Sequence, residues 1–189
     1  SADVTSMVTA SVGTQVGMTH GQQLVGGDDV QAITELELRF KALRVLGLEF
    51  AFNPMAFGAD TDELTFHSLF RLTGQIHFIP LDRVSVYLTA GVGALEFTDL
   101  FDATSETCSY HTGLGLELYL GQNLAVGLEY DMVIPGVDSI KKTVVSQALA
   151  SADGAGGTPP AFRSDEVPGP ATFISPANFR MTLGVRYYF

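Results

Sequence analysis

The residues of this sequence best suited to chemistry are ionised side chains that alternate with apolar ones. Eleven of them fall in such stretches: Glu35, Glu37, Arg39, Lys41, Glu49, Arg71, Glu117, Glu129, Asp131, Arg180 and Arg186. A period of two places alternate side chains on opposite faces of a β-strand. Six carboxylates and five cations are nearly balanced, as a buried ion-pair network requires. We predict such a network, in which Arg180 pairs with Glu129 or Asp131 and Arg71 pairs with Glu49.

Catalytic and metal-binding chemistry has weak support in the sequence. There is no Gly-x-Ser-x-Gly elbow. His67 and Ser68 are adjacent, so on a strand they would point to opposite faces and could not act together as a catalytic pair. His77 and His111 share the polar face with His67, but their spacing is not that of a metal ligand set. Cys108 is the single cysteine and is expected to be a small structural residue. We therefore expect no catalytic residue, no metal and no cofactor.

Composition excludes several classes of protein. The chain has 189 residues, of which 46% are apolar and 16% charged, with a mean hydropathy of +0.23; soluble domains usually carry about 25% charged residues. No uncharged apolar run is long enough for a transmembrane helix. The net charge of −11 argues against a nucleic-acid partner. The length is that of one domain, residues 1–189.

Period-two alternation recurs in eight segments, and a strand of roughly 9–11 residues can cross a bilayer. The second is expected over Ala32–Ala42 and the fourth over Leu64–Phe78. Tight turns alternate with long connections, which are His20–Gln31, Pro54–Glu63, Thr98–Thr107 and Pro135–Ala177. This asymmetry is typical of membrane barrels. The predicted fold is an all-β, eight-stranded, antiparallel, up-and-down transmembrane β-barrel with long loops at one end.

Alternation alone does not decide which face meets the surroundings, because a soluble lipocalin-like barrel alternates in the opposite sense. The polar faces carry many glycines, which would make room for large neighbours inside a narrow barrel. Their charges are nearly balanced, and the chain ends on an aromatic residue, Phe189. We therefore predict that the charged side chains point into the barrel.

The last eight residues, Thr182–Phe189, contain a glycine, spaced aromatics and a terminal phenylalanine; the residues concerned are Gly184, Tyr187 and Phe189. They resemble the C-terminal assembly signal of bacterial outer-membrane barrels, and the whole chain resembles the small OmpA, OmpX and OmpW type. The resemblance implies a location in the bacterial outer membrane, recognition by the barrel-assembly machinery, and contact with outer-membrane lipid and lipopolysaccharide.

An interior enclosed by eight strands is just wide enough for side chains to fill. We therefore predict a plugged lumen and a non-catalytic role in membrane structure, or in surface and partner interaction through the acidic loops, chiefly residues 135–177. Two alternatives stay open. The barrel could be a narrow passive channel for small or hydrophobic solutes, or a subunit of a larger cell-envelope assembly.

If the apolar faces meet lipid, the protein should leave the membrane fraction only with detergent. Its unboiled form should also migrate differently from the boiled form in gel electrophoresis, because closure keeps the barrel compact until it is heated. A monodisperse protein in detergent-free buffer would instead indicate the lipocalin-like arrangement.

Overall fold

A computed structural model describes residues 8–22, 28–54, 68–80, 83–102, 108–136 and 178–189. The strands within these ranges are β1 Val8–Gln22, β2 Asp28–Ala42, β3 Leu46–Phe52, β4 Phe70–Pro80, β5 Val84–Ala94, β6 Ser109–Tyr119, β7 Leu124–Pro135 and β8 Phe179–Tyr188. A short 3-10 helix, Thr98–Phe101, follows β5. In this described part of the chain, no helix is long and apolar enough to cross a membrane.

Each strand pairs antiparallel with the next, and β8 pairs with β1, so the sheet is a closed barrel. At the closing seam Ser11 lies opposite Tyr188 and His20 opposite Phe179. Closure gives every strand two neighbours and leaves neither end of the sheet open. The predicted all-β, eight-stranded, antiparallel, up-and-down barrel is therefore confirmed.

The register of the strands shows how strongly they tilt. A row of paired residues that starts at Ala10 and passes once around the barrel returns to β1 at His20, a displacement of ten residues. A stagger of this kind requires strands inclined by about 35–45° to the barrel axis. Side chains that are far apart along the sheet are thereby brought to the same height inside the barrel.

Several predicted boundaries differ from the observed ones. The long connection predicted over His20–Gln31 is shorter, because β1 and β2 remain paired as far as Gln22 and Asp28. Backbone hydrogen bonds continue there although the apolar alternation has ended, and only the alternation is visible in the sequence. β4 begins at Phe70, and positions 64–67 of the predicted strand lie outside the described residues. Positions 137–177 of the last long connection also lie outside them.

The outer surface of the barrel is apolar and the interior is charged. Outward-facing side chains such as Leu36, Leu48 and Leu183 are 51–55% exposed, whereas Arg39 and Glu49 are fully buried. We call the outward-facing apolar residues of the strands the apolar belt. This arrangement is the reverse of the soluble lipocalin alternative, in which the apolar face would line the interior.

Close packing between strands depends on glycine at particular sites. A Cβ atom on Gly113 in β6 would overlap the carbonyl oxygen of Tyr130 in β7, whereas the nearest atom to a Cβ on Gly74 in β4 would be the Ala90 carbonyl oxygen at 3.6 Å. The backbone at Gly113 cannot move aside without disturbing the hydrogen bonds between β6 and β7.

Gly113→Ala should therefore lower the free energy of unfolding by roughly 1–3 kcal/mol, the usual effect of overpacking. Gly74→Ala is the matched control and should have a much smaller effect. Urea titration of the two variants in lipid vesicles measures the difference. Equal losses in both would contradict the role assigned to Gly113.

Candidate functional site in the barrel interior

All eleven ionised residues singled out from the sequence lie inside the barrel, and none is more than 6% exposed. They come from β2, β3, β4, β6, β7 and β8. Inward placement follows from strand geometry, because the neighbours of these residues along the strands face outward and, except for Thr34 beside Glu35, are apolar or aromatic. The interior is therefore a set of charges removed from water, and each charge needs a partner.

The loop-end cluster contains Arg71, Arg180, Glu35, Glu129 and Asp131. Glu35 Oε2 accepts hydrogen bonds from Arg180 Nη1 at 2.7 Å and from Arg71 Nη2 at 3.0 Å. Glu129 Oε1 accepts from the same two residues, at 2.5 Å from Arg180 and 3.2 Å from Arg71. Arg180 also donates to Asp131. The two guanidinium groups and the carboxylates of Glu35 and Glu129 form a closed ring across the lumen.

Glu49 connects this cluster to the centre of the barrel. Its Oε1 accepts from Arg71 Nη2 at 2.8 Å, while its Oε2 accepts from Arg39 Nε at 2.9 Å and from Gln75 Nε2 at 3.1 Å. Arg186 pairs with Glu37, and its Nη1 lies 3.8 Å from Glu117 Oε1, which is 3.6 Å from Arg39 Nη1. The ion pairs therefore form one connected network.

The turn-end cluster is organised around Glu117. This carboxylate pairs with Lys41 and accepts hydrogen bonds from the hydroxyl groups of Tyr119 at 2.8 Å and Tyr188 at 2.5 Å. The Lys41 ammonium also lies 5.2 Å from the centre of the Tyr119 ring and 5.0 Å from that of Tyr188. Cation–π contacts of this kind are strongest away from water. Two aromatic rings and a lysine thus fill the interior near the short turns.

The pairings proposed from the sequence are present in the structure. Arg180 contacts both Glu129 and Asp131, and Arg71 contacts Glu49. Contacts across the lumen were not predicted, and they include Arg180 with Glu35. The stagger that brings these strands to one height could not be obtained from the sequence.

Tyr87 is an interior residue to which sequence reasoning assigned no role. Its hydroxyl donates to Glu129 Oε2 at 3.1 Å and accepts from Arg39 Nη2 at 3.4 Å. The Arg39 guanidinium also lies 5.0 Å from the centre of its ring. Gly115 lies opposite Tyr87 in the sheet, and a Cβ there would overlap the ring. The sequence feature that could have indicated this role is a large side chain on the polar face of a strand with a glycine opposite it.

The histidines inside the barrel take part in hydrogen bonds with hydroxyl groups. His77 Nδ1 lies 2.7 Å from Ser85 Oγ, and His111 Nε2 lies 2.9 Å from Thr73 Oγ1. His67 lies outside the described residues. Within the described ranges no group of three or more His, Cys, Asp or Glu side chains could hold a metal ion.

A small pocket lies at the loop end of the lumen, beside the loop-end cluster. Its lining includes Arg71, Arg180, Asn53, Ser68 and His111. The Nε atoms of both arginines are buried and have no hydrogen-bond partner among the described residues. Glu35 also lines the pocket, so the ion pairs of this carboxylate with the two guanidinium groups form part of its wall.

The residues of the predicted assembly signal occupy both sides of the barrel wall. Gly184 faces inward against Gln15, while Tyr187 and Phe189 are 53% and 58% exposed on the outside. The Phe189 amide donates to the Ala10 carbonyl oxygen at 3.1 Å. The terminal residue is thereby attached to the first strand.

Cys108 lies immediately before β6 and is buried. Its thiol is 3.9 Å from the carbonyl oxygen of Ser109. Burial raises the pKa of the Cys108 thiol, which favours the unreactive protonated form. These surroundings are those of a structural cysteine.

No protein-family profile and no curated protein sequence matches this chain. A solved structure described as "De novo design of transmembrane beta-barrels" aligns with 96% of this chain and 95% of its own, at 11% identity and a TM-score of 0.45. Strand pairing and the orientation of the side chains define the class, which is a closed eight-stranded barrel with a transmembrane-barrel-like fold.

Arg180→Met should lower the free energy of unfolding by about 3–5 kcal/mol, because Asp131 would lose the arginine with which it pairs, and Glu35 and Glu129 would be left to share Arg71. The loss can be measured by urea titration in lipid vesicles, followed by gel mobility.

Glu35→Gln is the matched control within the same cluster. One oxygen of Glu35 makes both of its arginine contacts, and an amide oxygen can replace it. The change also makes five carboxylates face five cations. We expect it to alter the free energy of unfolding by less than about 1 kcal/mol. An equally large loss in Glu35→Gln would contradict this account of the charge balance.

Proposed function

We propose that this protein is a non-catalytic, integral barrel of the bacterial outer membrane whose interior is closed to solutes. The observation that carries the proposal is the continuous network of ion pairs that crosses the lumen, from Arg180 near the long connections to Glu117 near the short turns. An interior filled by ion pairs leaves no passage for solutes, which is consistent with a structural role in the membrane.

The apolar belt supports a membrane location. It surrounds the barrel, and it exposes large side chains such as Leu114 and Leu128 to 52% and 46%. A surface of this kind is expected to associate or precipitate in water, whereas in a bilayer it meets hydrocarbon. A closed barrel also satisfies all its strand-to-strand hydrogen bonds without water, as the bilayer interior demands.

The bacterial outer membrane is the compartment favoured by the C-terminal sequence. Gly184, Tyr187 and Phe189 resemble the assembly signal of outer-membrane barrels, which implies insertion by the barrel-assembly machinery. Lipid and lipopolysaccharide would then be the immediate surroundings. Partners in the cell envelope would be met through the long connections, chiefly residues 135–177, because the turns at the other end are only a few residues long.

Burial and the energetics of ion pairs support a closed lumen. Arg39, Glu49, Glu117 and Glu129 lie at successive heights in the interior, and none is more than 1% exposed. A water-filled passage would have to expose them. Separating buried partners leaves uncompensated charge at a cost of several kcal/mol, so thermal motion should seldom open a path.

Single-protein recordings in a planar lipid bilayer test the proposal. The wild-type protein should give no conductance above that of the bare bilayer. A double variant, Arg39→Ala with Glu49→Ala, should conduct, because it removes a central pair while Glu117 keeps Lys41 and Arg71 keeps Glu35 as partners.

Leu38→Ala with Leu48→Ala is the matched control, since it shortens two side chains of the same strands on the outer face. This variant should remain silent. If the wild-type protein conducts above the bare bilayer, to the same extent as the interior variant, the closed lumen is overturned. That result would support the alternative of a passive channel for small solutes.

A further inference from the structure

The chain folds back along the outside of the barrel after β5. That strand ends at Ala94, yet the Phe97 ring contacts the ring of Phe50, with centres 5.9 Å apart. Phe50 lies in the same row of paired residues as Val92, two positions before the end of β5. The segment that includes the 3-10 helix therefore lies against the outer face of the wall and not across the mouth of the barrel.

Five aromatic rings meet at this place. We call Phe50, Phe52, Phe70, Phe97 and Phe101 the phenylalanine cluster. Phe97 makes edge contacts with Phe70 at 5.7 Å and with Phe101 at 5.8 Å, and Phe70 contacts Phe52 at 5.5 Å. Such geometries are favourable for aromatic pairs. The contacts join the segment to β3 and β4, so its position depends on specific packing.

The outermost rings of the cluster are uncovered. Phe101 is 71% exposed and Phe97 is 50% exposed, whereas Leu100 of the same helix is buried at 7%. Leu100 therefore contributes to holding the helix on the barrel, while the two phenylalanines project from it. Adjacent exposed aromatic side chains that continue an apolar surface are typical of a site that contacts an apolar partner or a membrane.

Continuity with the apolar belt identifies that environment. Phe50, Phe52 and Phe70 belong to β3 and β4, and Phe52 lies directly opposite the exposed Leu36 of the belt. The cluster is thus an extension of the belt at its loop end. An occupant that covers the belt will cover the phenylalanines, and in a membrane that occupant is lipid hydrocarbon.

The polar residues of the segment limit how deeply it can enter. Glu96 and Asp102 are exposed, and Asp99 lies in the first turn of the helix. Carboxylates of this kind belong in the headgroup layer, whereas aromatic and leucine side chains of interfacial helices reach roughly 5–10 Å below it. The segment has the amphipathic composition of an element that lies in the membrane surface.

We propose that residues 95–102 form an interfacial membrane anchor, in which Phe97 and Phe101 insert among the acyl chains just beneath the lipid headgroups of the loop-end leaflet. The anchor lies on one side of the barrel, over β3 and β4. It holds that side at a defined depth and biases the orientation of the barrel in the bilayer. This inference rests on the membrane location given as the proposed function.

The absence of tryptophan from the chain allows a direct test. A single tryptophan is introduced as Phe101→Trp, and the full-length protein is folded into phosphatidylcholine vesicles whose acyl chains are brominated at a shallow or a deep position. Shallow bromines should reduce the fluorescence roughly two-fold relative to unbrominated lipid, as expected for an indole seated below the headgroups. Deep bromines and aqueous acrylamide should quench it less.

Leu114→Trp, in the middle of the belt, is the control for membrane insertion, and gel mobility confirms folding of each variant. If brominated lipid quenches neither Phe101→Trp nor Leu114→Trp, the membrane location itself is wrong. If Leu114→Trp is quenched while Phe101→Trp is quenched only by acrylamide, the anchor alone is overturned. If the tryptophan of Phe101→Trp is protected from acrylamide only at a high protein-to-lipid ratio, and bromine does not quench it, the surface is covered by a second copy of the chain and not by lipid. Phe97→Trp repeats the test where Phe101→Trp does not fold.

Discussion

Complete pairing of the backbone hydrogen bonds between strands is the constraint on which the rest of this structure depends. In hydrocarbon each N–H and C=O group must find a partner within the protein, and a sheet can achieve this only by closing on itself. The pairing of β1 with β8 provides the closure. Closure in turn gives every strand an inner and an outer face, and this division confines the ionised side chains to the lumen.

Confinement explains why the interior is so fully connected. Five cations and six carboxylates cannot remain in a narrow, dry space as isolated charges, so most of them have more than one partner. Arg180 alone contacts Glu35, Glu129 and Asp131. Interior glycines such as Gly115 make room for large groups, among them the ring of Tyr87. Closed packing and charge balance therefore arise from the same constraint.

The phenylalanine cluster extends the same division beyond the strands. Segment 95–102 is a connection, yet it places its aromatic side chains on the outer surface with the apolar belt. A connection of this kind enlarges the apolar outer surface without adding a strand. It also makes one side of an otherwise regular barrel different from the others, which offers a physical means of orienting the protein.

The number of strands and the division of each strand into an apolar and a charged face could be read from the chain alone, because a period of two is a local property of the backbone. That the charged face points inward could only be inferred from the glycines and the near balance of charge, because it depends on how the sheet closes. The ends of β1 and β2 could not be read from the chain, since backbone pairing continues where the apolar alternation stops. Nor could the position of the 3-10 helix, since it depends on ring contacts with β3 and β4. The partners of Glu35 and Glu117 across the lumen could not be predicted from the sequence either. They depend on the ten-residue stagger of the closed sheet, a global quantity that arises only when the last strand meets the first.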